Sequence, residues 1–378
     1  MCATQMTSVA HDSQIPVTMK RLLDSDSLRA LARGCGVLGA GGGGDVYYCL
    51  LQALQATEDY GPVPLVDVDE LPDDALIMPC GAIGSPLVGV EKFENGDEGD
   101  RLRAYLQYLT GRRVAALMAG EIGGGNGLLP ITWAARLGLP LVDADGMGRA
   151  FPEVPQVTMH LAGIPASPAV VTDERGNLVV FRAISGPWME RLERAASVEF
   201  GGAASSTEFS LTAAQARQAT VRNSVSLALR IGEAIGSAAG NPVDALIAEL
   251  GAFSLVSGRI LDVERRTVRG FARGSVVIEG LGEDAGRLIR LELQNENLVA
   301  LERGRLLASV PDLITVLDTE TADAIATERI RYGQRVTVIA FACDPVWRTE
   351  RGIAVTGPRA FGYDLDYQPV EELAGATA

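Results

Sequence analysis

Two glycine-rich runs constrain this chain more than anything else in it. Gly39-Ala40-Gly41-Gly42-Gly43-Gly44 and Gly123-Gly124-Gly125-Asn126-Gly127 are too permissive to form the interior of a helix or a strand. Each precedes a segment with helical spacing. Val46, Cys49, Leu50, Ala53 and Leu54 follow the first run and predict a helix over 45–57. Pro130 to Leu137 follow the second, with Pro130 tolerable only in a first turn. Glycine makes up 43 of 378 residues, about 11% against an average near 7%. Runs of this kind at helix starts let backbone come close to backbone, or to a ligand.

Around these runs, short apolar segments alternate with helical ones. Val63–Val68, Ala75–Met78, Val114–Ala119 and Leu139–Val142 read as strands, and Asp100–Leu109 as a helix. Fully apolar strands separated by helices predict a mostly parallel sheet covered on both faces. Leu28–Arg33 reads as a short helix stopped by Gly34, and Met1–Thr18 as a loose tail. The character changes after about Gly163. Ala169–Ala183 reads as a hairpin. Ser205-x-x-Glu208 and Thr212-x-x-Gln215 are capping boxes ahead of a long helix running to about Ile235. β-rich runs follow at Arg259–Val263, Ser275–Ile278, Leu288–Leu293, Leu313–Leu317 and Val336–Phe341. A chain of this length exceeds one hydrophobic core. The expectation is therefore an α/β N-terminal domain over 20–165 and a β-rich α+β C-terminal domain over 166–370.

Composition removes several classes of function. The net charge of -15 opposes nucleic acid and anionic membrane surfaces. Five scattered cysteines form no disulfide framework and no zinc ribbon. They suit a reducing compartment, and no segment has the makings of a signal peptide or a membrane helix. The expected location is cytoplasmic. With His11 and His160 the only histidines, neither a three-histidine zinc site nor HExxH can be built.

In an open parallel sheet ligands bind beyond the carboxyl ends of the strands. Pro79-Cys80-Gly81, Gly120-Glu121 and Asp143-Ala144-Asp145 are such ends, and both glycine runs belong to the same edge. Glu121, Asp143 and Asp145 are the candidate acids and bases, since neighbouring carboxyls raise one another's pKa and divide the two roles. The N–H groups of Gly43, Gly44, Gly124 and Gly125 would cradle ligand oxygens, with Asn126 beside them in the substrate site; capping the following helix is the other reading of Asn126. Arg149 or Lys92 would hold a substrate carboxylate. Glu91-Lys92 reads either as an exposed ion pair or as part of the cleft. Asp143, Asp145 and His160 would suit a divalent metal; packing is the other reading of His160. Cys80 is a thiol at a strand end, either nucleophile or buried and inert. Gly39, Gly41 and Gly44 formally match GxGxxG, with Asp67 and Asp69 following. The run Gly34–Leu38 is a short first strand, however, and Asp45 puts a negative charge where a pyrophosphate would bind. No nucleotide cofactor is expected.

The same segments, taken in order, resemble one family. They are Gly39–Asp45, Gly89-Val90-Glu91-Lys92, Glu121–Gly127, Asp143–Glu153, Pro311-Asp312-Leu313-Ile314, Thr327-Glu328 to Gly333, Trp347-Arg348-Thr349 and Gly357–Tyr363. Over about residues 22–370 the chain is similar to the S-methyl-thiohydantoin desulfurases. The resemblance implies two domains, α/β then β-rich. It implies a small cyclic amide or amidine as substrate, from which water releases methanethiol and leaves a hydantoin. It also implies association with hydantoinase or oxoprolinase-type proteins, or with a second copy of the chain. A non-catalytic accessory or ligand-binding subunit of such a system is the alternative. Cys80 and Cys343 do not belong to the resembling segments.

Overall fold

The computed structural model describes residues 19–85, 88, 91–268 and 271–375. Met1–Thr18 and the Gly89-Val90 part of one resembling segment lie outside them.

The first half builds a ten-stranded sheet. Its strands are β1 (Met19–Leu23), β2 (Val63–Val66), β3 (Leu76–Gly84), β4 (Val114–Ala119), β5 (Leu141–Asp145), β6 (Ala169–Thr172), β7 (Leu178–Phe181), β8 (Ala203–Thr207), β9 (Leu211–Thr212) and β10 (Val221–Arg222). They lie in the order β1-β2-β5-β4-β3-β8-β6-β7, with β9 on β3 and β10 on β5. β2, β5, β4 and β3 are mutually parallel. Ala116 to Ala119 of β4 and Leu141 and Val142 of β5 are fully buried, as strands covered on both faces must be. Strands as late as Arg222 belong to this first sheet, so it extends well past residue 165.

Helices α1 (Ser25–Leu38), α2 (Val46–Tyr60), α3 (Glu98–Thr110), α4 (Leu129–Leu137), α5 (Thr158–Leu161), α6 (Gly186–Glu199), α7 (Ala213–Ala219) and α8 (Ser224–Gly236) pack on it. Gly34 does not end the first helix, which runs four residues further to Leu38. A β-carbon at Gly34 would lie 1.8 Å from the Ala228 carbonyl oxygen, and one at Gly232 would lie 1.8 Å from that of Ala30. These glycines are contact points where α1 and α8 touch backbone to backbone. Gly34–Leu38 is therefore the last turn of a helix and not a strand.

Ser205 belongs to β8 and caps nothing, whereas Thr212 and Gln215 do form their capping box. The expected long helix is divided. Val221 and Arg222 leave it to pair with Asp145 and Ala144, and Asn223 turns the chain back with φ 62°.

After α9 (Pro242–Leu250) comes a separate seven-stranded antiparallel sheet. It comprises β11 (Phe253–Val268), β12 (Phe271–Gly280), β13 (Leu288–Gln294), β14 (Glu296–Glu302), β15 (Arg305–Ser309), β16 (Leu313–Asp318) and β17 (Arg335–Phe341), ordered β15-β14-β13-β12-β11-β17-β16. Buried Ile289, Leu291 and Leu293 alternate with less buried Leu288, Arg290 and Glu292, the period of a sheet with one face in the core. β14 and β15 escaped the sequence reading.

The two sheets are tied at the first glycine run. Asn297 N–H donates to Ala40 O at 2.8 Å, Thr327 N–H to Gly41 O at 2.8 Å and Thr315 Oγ1 to Val37 O at 2.9 Å. No helix among the described residues is long and apolar enough to cross a membrane.

Candidate active site

A cavity of about 210 Å³ opens beyond the carboxyl ends of β3 and β4, where an α/β sheet offers its loops to a ligand. At the end of β4 Gly120 N–H donates to Cys80 O and Gly146 N–H to Gly120 O, at 2.8 and 3.0 Å. The chain is thus fixed on both sides immediately before it delivers Glu121 to the cavity. Glu121 is only 8% exposed. Its Oε2 accepts from Phe151 N–H at 3.1 Å, and its Oε1 accepts from Asn126 Nδ2. Burial pushes the carboxyl up to about 8, while the Asn126 and Phe151 bonds oppose the rise and the charge of Asp145 adds to it.

Both glycine runs reach this place, and they bind one another. A β-carbon at Gly43 would lie 2.1 Å from Gly123 O, and one at Gly124 would lie 2.4 Å from Gly42 O. Gly125 N–H donates to Gly44 O at 3.1 Å and Asn126 N–H to Gly43 O at 3.0 Å. The N–H of Gly125 is therefore not available to a ligand, contrary to expectation. Gly43, Gly44, Gly125 and Asn126 line the cavity; Gly124 sits behind them. The N–H groups of Gly43 and Gly44 meet no acceptor among the described residues, and open space faces Gly44. Asn126 does not cap the next helix, which starts after Leu128.

The aspartates expected beside Glu121 are placed otherwise. Neither lines the cavity. Asp145 Oδ2 accepts from the N–H groups of Ile122, Met147 and Gly148 at 2.8–2.9 Å. It braces the Glu121 turn from behind, and burial pushes it up to about 7. Asp143 pairs with Lys20 Nζ at 3.0 Å and takes the Ser226 hydroxyl at 2.6 Å. His160 stands apart, against Gly186 and 6.5 Å from the Phe209 ring centroid. Among the described residues no three His, Cys, Asp or Glu side chains converge to hold a metal.

The expected cationic groups are placed otherwise as well: Arg149 lies outside the lining, its Nη2 without a partner among the described residues, and Lys92 is engaged by the protein. Arg149 is fully buried; its Nη1 donates to Pro311 O at 2.6 Å and Asp312 O at 3.0 Å, and its guanidinium stacks 4.5 Å from the Phe151 ring centroid. Lys92 lines the cavity, but its ammonium is held by Phe200 O, by Ala203 O at 2.6 Å and by Glu174 at 2.8 Å. Lys92 thus pairs with Glu174 and not with Glu91, which is exposed and outside the lining. Cys80 is fully buried, its thiol pushed up by burial, which suits an inert thiol.

The formal GxGxxG follows helix α1, not the strand that a dinucleotide turn requires. Asp45 takes the start of α2 itself, accepting from Tyr48 N–H at 2.7 Å and pairing with Arg329. Asp67 and Asp69 bind Arg222.

Sequence reasoning missed most acids of the lining, Glu94, Glu208 and Glu296 among them. Glu94 accepts from the Ser205 hydroxyl at 2.9 Å, and burial together with Glu98 pushes it up to about 7. Burial also pushes Glu208 up to about 7. Glu296 comes from the second sheet, at the tip where Asn295 turns with φ 58°. It is 2% exposed, its Oε2 has no partner, and burial and the charge of Glu121 raise its pKa. A signal for Glu296 existed: four consecutive polar residues, Gln294-Asn295-Glu296-Asn297, stand between the alternating strand Leu288–Leu293 and the apolar Leu298-Val299-Ala300.

Sequence models of one family match the chain in two consecutive blocks. The S-Me-THD-like N-terminal domain matches residues 26–183 and the S-Me-THD-like C-terminal domain residues 184–370. The chain belongs to the S-Me-THD-like family, whose two domains here are an α/β unit followed by a β-rich one. A crystal structure of a protein from Chromobacterium violaceum is similar over 93% of this chain and 100% of that one, with 24% identity and a TM-score of 0.79. That likeness concerns the fold. No curated protein matches the chain.

Proposed function

We propose that this cleft hydrolyses a small five-membered cyclic amidine, as an S-methyl-thiohydantoin desulfurase does. The observation that carries the reading is Glu121: of the acids expected to act, it alone lines the cavity, buried between the glycine loops and Glu296. Water attacks the ring carbon that bears sulfur. One of the pair Glu121 and Glu296 takes its first proton as carboxylate, and the other, as carboxylic acid, protonates the ring nitrogen. The tetrahedral carbon then expels methanethiolate, which leaves with the second proton of water. The carbon–sulfur bond breaks and a carbon–oxygen bond replaces it; the base is left protonated and the acid ionised, and one proton passing from the first to the second, directly or through solvent, resets the pair. The N–H groups of Gly43 and Gly44 are placed to receive negative charge developing on oxygen. Asp145 positions Glu121 through the Ile122 N–H.

The test is incubation of the purified protein with an S-methyl-thiohydantoin and measurement of methanethiol. Release that Glu121→Gln abolishes in a folded protein supports the reading. An intact substrate with folded wild-type protein sinks it.

A further inference from the structure

Glu121 and Glu296 line the same cavity, and the protein holds them differently. Glu121 has a donor on each oxygen: Asn126 Nδ2 on Oε1, and Phe151 N–H on Oε2 at 3.1 Å. Donors of this kind favour the charged form of a carboxyl. Asn126 is itself fixed through its main chain, its backbone N–H donating to Gly43 O at 3.0 Å. That bond does not depend on the side chain at position 126.

Glu296 has less support. It is 2% exposed, and its Oε2 has no partner. Its Oε1 lies against Gly42, where a β-carbon would come within 2.1 Å of it. Apart from its own backbone N–H, no donor among the described residues serves this carboxyl. A carboxyl buried with so little donation keeps its proton. Kept neutral, it carries an O–H that a ring nitrogen in the cavity accepts. The nearby charges do not reverse the order. Arg149, fully buried with Nη2 unpartnered, favours ionisation of both carboxyls. At Glu296 burial and the charge of Glu121 outweigh it, and Glu328 adds to the rise. Asp145 raises Glu121, against its two donors. Asp45 lines the same cavity but is paired with Arg329.

We propose that Asn126 makes Glu121 the base of this pair: its amide, with the Phe151 N–H, holds Glu121 as the carboxylate that takes the proton of water, and Glu296 is left to carry the proton that the ring nitrogen receives. Asn126 acts through Glu121 and is a positioning residue. This is a task other than the substrate contact or the helix cap expected of it. The proposal rests on the hydrolase reading for the step that the pair performs.

Carbon-13 NMR of the whole protein, labelled at the glutamate carboxyls and titrated with pH, tests it without substrate. Signals that vanish in Glu121→Gln and in Glu296→Gln identify the two residues. Glu121 titrates with a midpoint near 8 and Glu296 with a higher one. Asn126→Ala, which keeps the main-chain bond, raises the Glu121 midpoint by about one to two pH units. Asn126→Asp, which keeps the shape and puts a charge in place of the donor, raises it further. Glu296 ionising before Glu121, or a Glu121 midpoint unmoved in both folded variants, overturns the proposal. Methanethiol release is read in parallel. Its kcat/KM rises with pH through the Glu121 midpoint, moves with that midpoint in Asn126→Ala, and keeps the rising limb in Glu296→Gln at a much reduced rate. Loss of the rising limb in Glu296→Gln makes Glu296 the base and overturns the proposal as well. Release with the ionisation order reversed keeps the hydrolase and removes Asn126 from this role. The expected order without release removes the hydrolase and keeps Asn126 as the group that ionises Glu121.

Discussion

Carboxylates populate two places along the first sheet, and the chain treats them in opposite ways. At the β1–β2–β5 edge Asp67 and Asp143 share Lys20, and Arg222 binds Asp67 and Asp69. There Asp67 is held below its usual value of 3.8, hydrogen bonds and Lys20 outweighing its burial. At the carboxyl end of β4 Glu121 is buried with no direct salt bridge, and burial outweighs the nearby charge of Arg149 and lifts it to about 8. Glu94 and Glu208 rise to about 7 for the same reason. Asp67, held by its cations, is a structural part that stays ionised. Unpaired buried acids exchange protons near neutral pH, which chemistry on a substrate needs and stability alone does not.

The contrast exposes itself to measurement. Glu121→Gln removes a proton donor and acceptor while keeping shape, and lowers methanethiol release by about 100-fold or more; an active variant would make Glu121 one more structural acid. Lys20→Met leaves the buried Asp143 with only Ser226 for support. It costs about 1–2 kcal/mol in urea unfolding, less than a fully buried pair because Lys20 is partly exposed. Release by that variant, measured while folded, stays near wild type. An equal loss of activity would erase the division between the two places.

The pH dependence of stability separates them by sign. Glu121 binds its proton more tightly folded than unfolded. Its contribution is complete below its ordinary 4.5 and disappears as pH rises through about 8. Asp67, with its folded value lowered, contributes above 3.8, and that contribution is lost as pH falls through its folded value. Thermal unfolding followed from pH 5 to 9 therefore shows a decline in wild type that is shallower in Glu121→Gln. A parallel decline in both proteins would contradict the assignment. The smallest effect belongs to Glu91→Ala. Glu91 is exposed and outside the lining, so kcat/KM changes by less than about twofold.

Much of the first sheet is legible in the chain because its signals are local. Val114–Ala119 is apolar without interruption and is a buried strand. Glu121 is an acid at a strand end beside glycines, and it reaches the cavity. Asp143 and Asp145 carried the same signal and do not reach it. Whether an acid at a strand end turns to the cleft or to a neighbour depends on what lies opposite. For Asp143 those neighbours are Lys20 and Ser226, far away in sequence, and for Asp145 they are the backbone N–H groups of Ile122, Met147 and Gly148. Glu94 and Glu208 were illegible for a related reason, and the polar interruption at Glu296 does not say what it meets. They meet only because β8 is laid against the late half of β3 and because a hairpin of the second sheet inserts its tip. Gly34 misled because glycine ends helices often, whereas this one serves a contact with α8 that no local pattern encodes.

The tip carrying Glu296 has a consequence of its own. The cavity takes its acids from both sheets, and backbone bonds from Asn297 to Ala40 and from Thr327 to Gly41 bind that tip to the loop that supplies Gly43 and Gly44. Neither half of the molecule holds the complete cavity lining. If the proposed hydrolysis holds, the halves expressed as separate pieces release no methanethiol, and joining them restores release in proportion to how firmly the seam closes.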